Sequence, residues 1–378
     1  MSASAGRLPL IDAVKGLACA VIVWHHLSIY GPMGQGARSL APAFFDWLAQ
    51  DGRLAVQVFL AVGGFLAAAS LAPQGWLLAQ RPWQRIALRY ARLAMPYLAA
   101  LICSVLAAAL VRPWLDAELV PAAPTLLQLI AHGLLLQDLL GQQALSAGVW
   151  YVAIDFQLFA LALALLSLGA LPQRGGPIGD PRARRLAVAL VLAVAGMSLV
   201  VFNRYAGLDI TALYFFGAYG LGMLSWWIGQ ATRAGTWRIG VAGLALLGVG
   251  ALWIDWRSRI AVALVTALAL ALAQRLIFSG PSAARWPSPA APLLRLGRIS
   301  YSLFLIHFPV ILLVSALFSR SGWIAPWAGA IGMLATFGLS LMAASLLYHW
   351  VEARPASWRA VLALFAGLLV CGTLAAMR

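Results

Sequence analysis

The sequence predicts an all-α fold: a polytopic transmembrane helical bundle of about ten or eleven spans, organised as a single domain over residues 1–378. Three observations predict it. The chain is 63% hydrophobic and only 10% charged, with mean hydropathy +0.89, where soluble domains carry roughly 25% charge. Its apolar residues gather into stretches that approach the roughly 20 residues a spanning helix needs. Its basic residues fall in the breaks between those stretches, as topology signals do.

Taken in order, the candidate spans lie near 9–30, 53–72, 93–111, 149–171, 186–202, 210–229, 239–254, 260–278, 299–318, 326–348 and 360–377. The last carries no polar feature and is expected to be peripheral to the core. The first is long, carries charges within it and precedes no plausible processing site, so it is expected to stay as a span rather than leave as a signal peptide. With the N-terminus inside, 18 of the 26 basic residues fall on the inner side and 8 on the outer. The positive-inside rule therefore predicts a cytoplasmic N-terminus in an inner (cytoplasmic) membrane.

The first span, RLPLIDAVKGLACAVIVWHHLSIY, holds an acid, a base and two histidines where lipid favours none. Lys15 and His26 fall about 20° apart on one helix face, separated by roughly 16 Å along the axis. Asp12, three residues before Lys15, is within reach of an i,i+3 ion pair near the helix start. His25 points about 100° away from His26. The same residues fit a bland role too, with the charges snorkelling to the interface and His26 bonded to a neighbouring helix.

Between the spans, residues 73–92 read as an amphipathic cytoplasmic segment with Arg85, Arg89 and Arg92 at helical spacing, and a helix lying on anionic lipid satisfies that pattern. Residues 112–148 form the longest outer connection, in which TLLQLIAHGLLLQDLL reads as a re-entrant or interfacial helix with His132 and Asp138 facing outward. The stretches 172–185 and 279–297 read as linkers.

Three further apolar segments hold polar groups that packing alone does not require. VWYVAIDFQLFA places Trp150, Asp155 and Gln157 in the outer part of a span, where a carboxylate needs a cation, a protonated histidine or water. RISYSLFLIHFPV carries Tyr301, Ser302 and His307 on a helix that Pro309 is expected to disturb. YHWVEARP brings His349, Glu352 and Arg354 to the inner surface as an exposed cap. No basic run interleaved with aromatics suggests nucleic acid, and no His spacing suits a metal. Cys19, Cys103 and Cys371 read as packing residues. Walker, GxSxG and GxGxxG motifs do not occur, so any chemistry must be built from histidine and carboxylates between helices.

These segments resemble the integral-membrane acyltransferases of the acyltransferase 3 family, which O-acylate extracytoplasmic glycans. RLPLIDAVKGLACAVIVWHH is similar to the family's opening helix, with Asp12, Lys15 and His26 at the typical positions. VQVFLAVGGFLAAASL, RYARLAMPYL with its Arg89 and Arg92, WYVAIDFQLFAL and LGRISYSLFLIHFPV follow in the expected order. The chain departs from the family where Lys15 replaces the usual Arg, Gly63 the usual Ser and Asp155 the usual Glu. Lysine keeps the charge and loses the bidentate fork.

The resemblance implies a cytoplasmic acyl-CoA donor, acetyl-CoA in the first instance, and a sugar hydroxyl acceptor on the outer face, with the lipid bilayer around both. Arg85, Arg89 and Arg92 would meet the nucleotide phosphates. His26, neutral and oriented by a carboxylate, would take the acceptor's proton or be acylated itself. Asp12 would hold Lys15, and Asp155 would orient His26 or act as base on the acceptor side. His25, Trp150, Tyr301 and His307 stand as substrate-binding candidates, and no metal is expected. A different acyl group or a secreted small-molecule acceptor keeps the same fold. A proton-coupled transporter or flippase would use the same buried polar residues, although the inverted repeats common in transporters are not evident.

Overall fold

The structure, a computed structural model, describes residues 9–78, 81–173, 179–277 and 291–377. Arg7, Arg174, Arg285, Arg378 and most of the 279–297 linker lie outside the described residues.

Among the described residues the chain is helical and without strands. In order the helices are α1 (Pro9–Ile29), α2 (Pro32–Ala37), α3 (Pro42–Asp51), α4 (Ala55–Leu71), α5 (Pro82–Val111), α6 (Leu126–Gly133), α7 (Val149–Gly169), α8 (Pro181–Val200), α9 (Ala212–Gly229), α10 (Ala234–Ile254), α11 (Ser258–Ile277), α12 (Ala291–Arg298), α13 (Ser300–Ser321), α14 (Pro326–Leu347) and α15 (Trp358–Ala376). Prolines open α2, α3, α8 and α14, where the missing N–H costs nothing and φ is already helical. Ten described helical stretches are long and apolar enough to cross a membrane. The segment expected at 210–229 forms α9, an 18-residue helix rich in Gly and aromatic side chains and largely buried.

Two elements differ from expectation for identifiable reasons. The basic segment before the third span does not end before it: α5 runs unbroken from Pro82 to Val111, so Arg85, Arg89 and Arg92 ride on the first turns of the spanning helix itself. Nothing between Pro82 and Pro96 breaks a helix, and at about 1.5 Å per residue the 30 residues reach well beyond the bilayer core. Likewise α13 continues through Pro309, since tight burial around it holds the helical course despite one lost hydrogen bond.

The contacts sort into two compact units. The first comprises Met1–Ala55, Leu88–Ala153 and Ala290–Arg378, and the second Val56–Ala87 and Ile154–Pro289.

In the first unit α1 packs against α12 and α13, and α13 against α14. The contact of α1 with α12 is backbone to backbone: a Cβ on Gly297 would stand 1.9 Å from the Asp12 carbonyl oxygen, and one on Gly16 would stand 2.8 Å from the Gly297 nitrogen. Only glycine permits that approach. The 112–148 connection packs its helix against α15. Its helix α6 opens with a capping box in which Thr125 and Gln128 satisfy each other's backbone N–H. At its end, Gly133 sits against Phe365 of α15, and its carbonyl accepts from the Tyr90 hydroxyl at 2.5 Å. The chain then turns at Leu135, which is buried with φ 59°, and returns to start α7 at Val149. The short helix expected within 112–148 is therefore present, and His132 on it is buried inside the protein, not exposed.

In the second unit α9 lies against α8 and α11. The indoles of Trp226 and Trp227 donate to the carbonyls of Pro73 and Ala72 at 3.0 and 2.7 Å. Gln157 accepts from the Ala212 N–H at 3.0 Å, satisfying one of the orphan donors at the start of α9.

Candidate functional site

The first unit brings one expected residue onto another across 281 positions of sequence. His26 on α1 and His307 on α13 have parallel rings with centroids 4.9 Å apart, and His26 Nδ1 lies 2.7 Å from His307 Nε2. The shared face of α1 turns His26 toward α13, not toward lipid. His307 is fully buried, whereas His26 is half-buried between His307 and the ring of Tyr30 at 5.6 Å.

Elementary chemistry assigns the protons. His307 Nδ1 lies 3.2 Å from the Leu303 carbonyl, which can only accept, so Nδ1 carries the hydrogen. In the neutral ring Nε2 is then the lone pair, and it accepts from His26 Nδ1–H. His26 Nε2 is left with its lone pair outward from the pair, the form a general base requires. The residue that orients His26 is therefore an imidazole, where a carboxylate was expected.

The remaining candidates divide. His25 Nδ1 donates to the Leu48 carbonyl at 2.8 Å, and its Cβ packs 2.8 Å from where a side chain on Gly52 would begin, so this ring ties α1 to the segment 42–54. Tyr301 donates to the Leu93 carbonyl at 3.0 Å, which places it beside the basic end of α5. Trp150, at the start of α7, makes an edge contact with Tyr151, whose ring meets Phe304, one turn from His307. Asp155 belongs to the second unit, where it is 6% exposed. A Cβ on Gly63 would stand 3.3 Å from the Tyr219 ring and 3.8 Å from Asp155 Oδ1.

The basic group is organised differently from the expected Asp12–Lys15 pair, which does not come within 4.0 Å among the described residues. Lys15 instead acts on the charge of Glu352, as does Arg92. Glu352 closes the π-helical turn Tyr348–Glu352 that follows α14, a local widening that re-aims side chains. It accepts from the Ser302 N–H at 3.1 Å and the Ser302 hydroxyl at 2.5 Å. Glu352 is thus half-buried and engaged at the start of α13, not an exposed cap, whereas His349 and Arg354 are exposed as expected. Sequence reasoning missed Ser302 and Glu352 as partners. The usable signal was a lone acid in an otherwise basic inner end, which needs a partner if it is not solvated. The cations Lys15 and Arg92 therefore stand at the end of the bundle where α1 and α13 begin, and His26 lies about 16 Å farther along α1.

His132 provides the internal contrast. Its Nδ1 donates to the Gln128 carbonyl at 2.8 Å and its Nε2 accepts from the Leu145 N–H at 3.2 Å, so both nitrogens are used by the backbone of the 112–148 connection. Burial pushes this imidazole down to about 4. Among the described residues no group of three His, Cys, Asp or Glu side chains gathers as metal ligands.

Comparison with known proteins yields one match. The model of the acyltransferase 3 family, described as an acyltransferase domain, matches residues 8–349, from the start of α1 to the end of α14. No curated protein and no solved structure matches the chain.

Proposed function

The chain belongs to the acyltransferase 3 family and is a membrane acyltransferase, and we propose that it moves an acyl group, acetyl in the simplest case, from acyl-CoA on the cytoplasmic side to a hydroxyl of an extracytoplasmic glycan. The observation that carries the reading is the contact of His26 Nδ1 with His307 Nε2 at 2.7 Å, which leaves one imidazole lone pair available. In the step, the acceptor hydroxyl gives its proton to His26 Nε2 as its oxygen attacks the thioester carbonyl. The C–O bond forms, the C–S bond breaks, and the proton passes on to the departing thiolate. His307 holds Nδ1–H of the transient imidazolium and shares its charge, and a base so placed contributes about 10²–10⁴-fold.

At the inner end, Lys15, Arg85, Arg89 and Arg92 supply the cations for the donor's phosphates, with Tyr301 and the Ser302–Glu352 bond holding the start of α13 in place beside them. The basic tally of the loops supports an N-terminus in the cytoplasm of an inner membrane. His25, next to His26 in sequence, and Trp150, linked to His307 through the rings of Tyr151 and Phe304, are assigned to the acceptor path. Asp155 is assigned to the acceptor as a carboxylate of the second unit.

The test is His26→Ala assayed for transfer of a labelled acetyl group from acetyl-CoA to surface glycan. The expected result is a loss of about 10³-fold with normal membrane insertion. Wild-type turnover by that variant overturns the assignment of the base.

A further inference from the structure

Three consecutive residues at the start of α13 each bond a different part of the first unit. The Ser300 carbonyl accepts from the Cys19 thiol of α1 at 3.1 Å, and the Tyr301 hydroxyl donates to the Leu93 carbonyl of α5 at 3.0 Å. The Ser302 N–H and hydroxyl donate to the carboxylate of Glu352, at the end of the turn after α14. One helical turn is thus the joint of α1, α5 and α14. The same bonds bring two cations to it, because Lys15 precedes Cys19 by one turn of α1 and Arg92 precedes Leu93 by one residue. His307 lies five residues beyond Ser302 on the same helix.

Glu352 is the acid of this joint, and it is bonded by neutral groups. Ile299, at the N-cap of α13, has no side chain that can cap the helix, and the Ser302 N–H is one of the donors left open in the first turn. The Glu352 carboxylate closes that donor from outside, where a negative charge also suits the helix dipole. Lys15 and Arg92 both act on its charge. Neither forms an ion pair with it within 4.0 Å among the described residues. Arg92 is exposed and Lys15 half-buried, so both keep their N–H groups for another anion.

This arrangement separates hydrogen bonding from charge. A carboxylate clamped between Lys15 and Arg92 would have to be displaced before a phosphate could bind them. Held by Ser302 instead, it leaves the donors of both cations open and subtracts from their field, which in a partly buried site reaches beyond direct contact. A phosphate ester arriving here gains two cations and meets the repulsion of one acid. We propose that Glu352 sets the affinity for the acyl donor by its charge, keeping CoA binding weak enough for the spent carrier to leave after transfer. The inference rests on the reading that Lys15 and Arg92 meet the phosphates of acyl-CoA, and it names the residue that tunes them without touching the donor.

The probe is CoA itself, titrated calorimetrically into the purified full-length protein in micelles at low and at high salt. Glu352→Gln keeps an acceptor for the Ser302 N–H and loses the charge, so CoA should bind about fivefold tighter at low salt. The gain should shrink at high salt, as screening requires. Ser302→Ala removes one bond and keeps the charge; it should cost turnover and leave CoA affinity within about twofold. Glu352→Asp keeps the charge on a shorter arm and should likewise lose turnover without tightening CoA, which holds the test open if the glutamine variant does not fold. Tightening by Glu352→Asp, or a gain in Glu352→Gln that survives high salt, overturns the inference, because charge would not be its cause. Lys15→Gln and Arg92→Gln should each weaken CoA about tenfold. If they do so while Glu352→Gln leaves CoA binding unchanged or weakened, the donor reading stands and the inference falls. If CoA binding is indifferent to both cations, the donor reading falls and takes the inference with it.

Discussion

Two histidines of the first unit, His26 half-buried and His132 buried, differ in what their second nitrogen does. In the seam between α1 and α13, His26 gives one nitrogen to His307 and keeps the other lone pair. In the 112–148 connection, His132 gives both nitrogens to backbone groups, the Gln128 carbonyl and the Leu145 N–H. Burial therefore does not single out a reactive imidazole. An uncommitted nitrogen beside an orienting group does, because only that ring can take a proton without breaking a structural bond.

The contrast can be pressed hardest at His307. Replacing it with alanine frees His26 Nδ1 and should lower kcat about 10²-fold with little change in KM for acyl-CoA. His307→Gln, which can still offer an acceptor, should recover part of the loss. Equal activity in all three proteins would mean that the ring contact has no part in turnover. At His132 the expected effect moves from rate to stability: His132→Leu leaves the buried Leu145 N–H without a partner, while the Gln128 carbonyl keeps its helical bond, and should cost about 1–3 kcal/mol, with turnover per folded molecule unchanged.

The pH dependence sharpens the same distinction. His132 is held at about 4 when folded against 6.5 for a free imidazole. Between those values the unfolded chain takes up a proton that the folded chain refuses, so stability falls as pH drops through that window, by at most about 3 kcal/mol. Above it this group adds no slope. Denaturation in micelles across that range should show the fall in the wild type and a flatter profile in His132→Leu. His25→Ala is expected to do less, about 1 kcal/mol from the lost bond to Leu48, with a smaller loss of activity than His26→Ala. Smallest of all is Gly63→Ser in the second unit. Its Cβ would meet the Tyr219 ring at 3.3 Å, and its hydroxyl would come within reach of Asp155. A change in stability under about 1 kcal/mol is expected from these opposed terms, and a shift beyond that would mean that Tyr219 cannot yield.

The spans were legible because hydropathy is a local property of the chain, and α1 was legible down to the face shared by Lys15 and His26 because helical periodicity is fixed. What the sequence concealed was tertiary. The contact of His26 with His307 joins residues 281 apart, and no spacing rule reports that. Asp12 and Lys15 suggested a pair by their i,i+3 relation, yet the charge of Lys15 is felt by Glu352, whose position depends on a widened turn that hydropathy does not encode. The continuous α5 was hidden by the switch from basic to apolar residues, which alters the surroundings of a helix without ending it. His132 looked exposed because its loop is outside by charge counting, and counting does not report burial.

The seating of the 112–148 connection has a consequence for how this chain is made. Its helix is eight residues long, too short to cross a bilayer, its far end rests on Phe365, and Arg112 at the start of the connection is bonded to the Ala375 carbonyl. Both supports belong to α15, more than two hundred residues later in the chain. Translation therefore delivers residues 112–148 well before their seat, and the connection acquires its final packing only when α15 arrives.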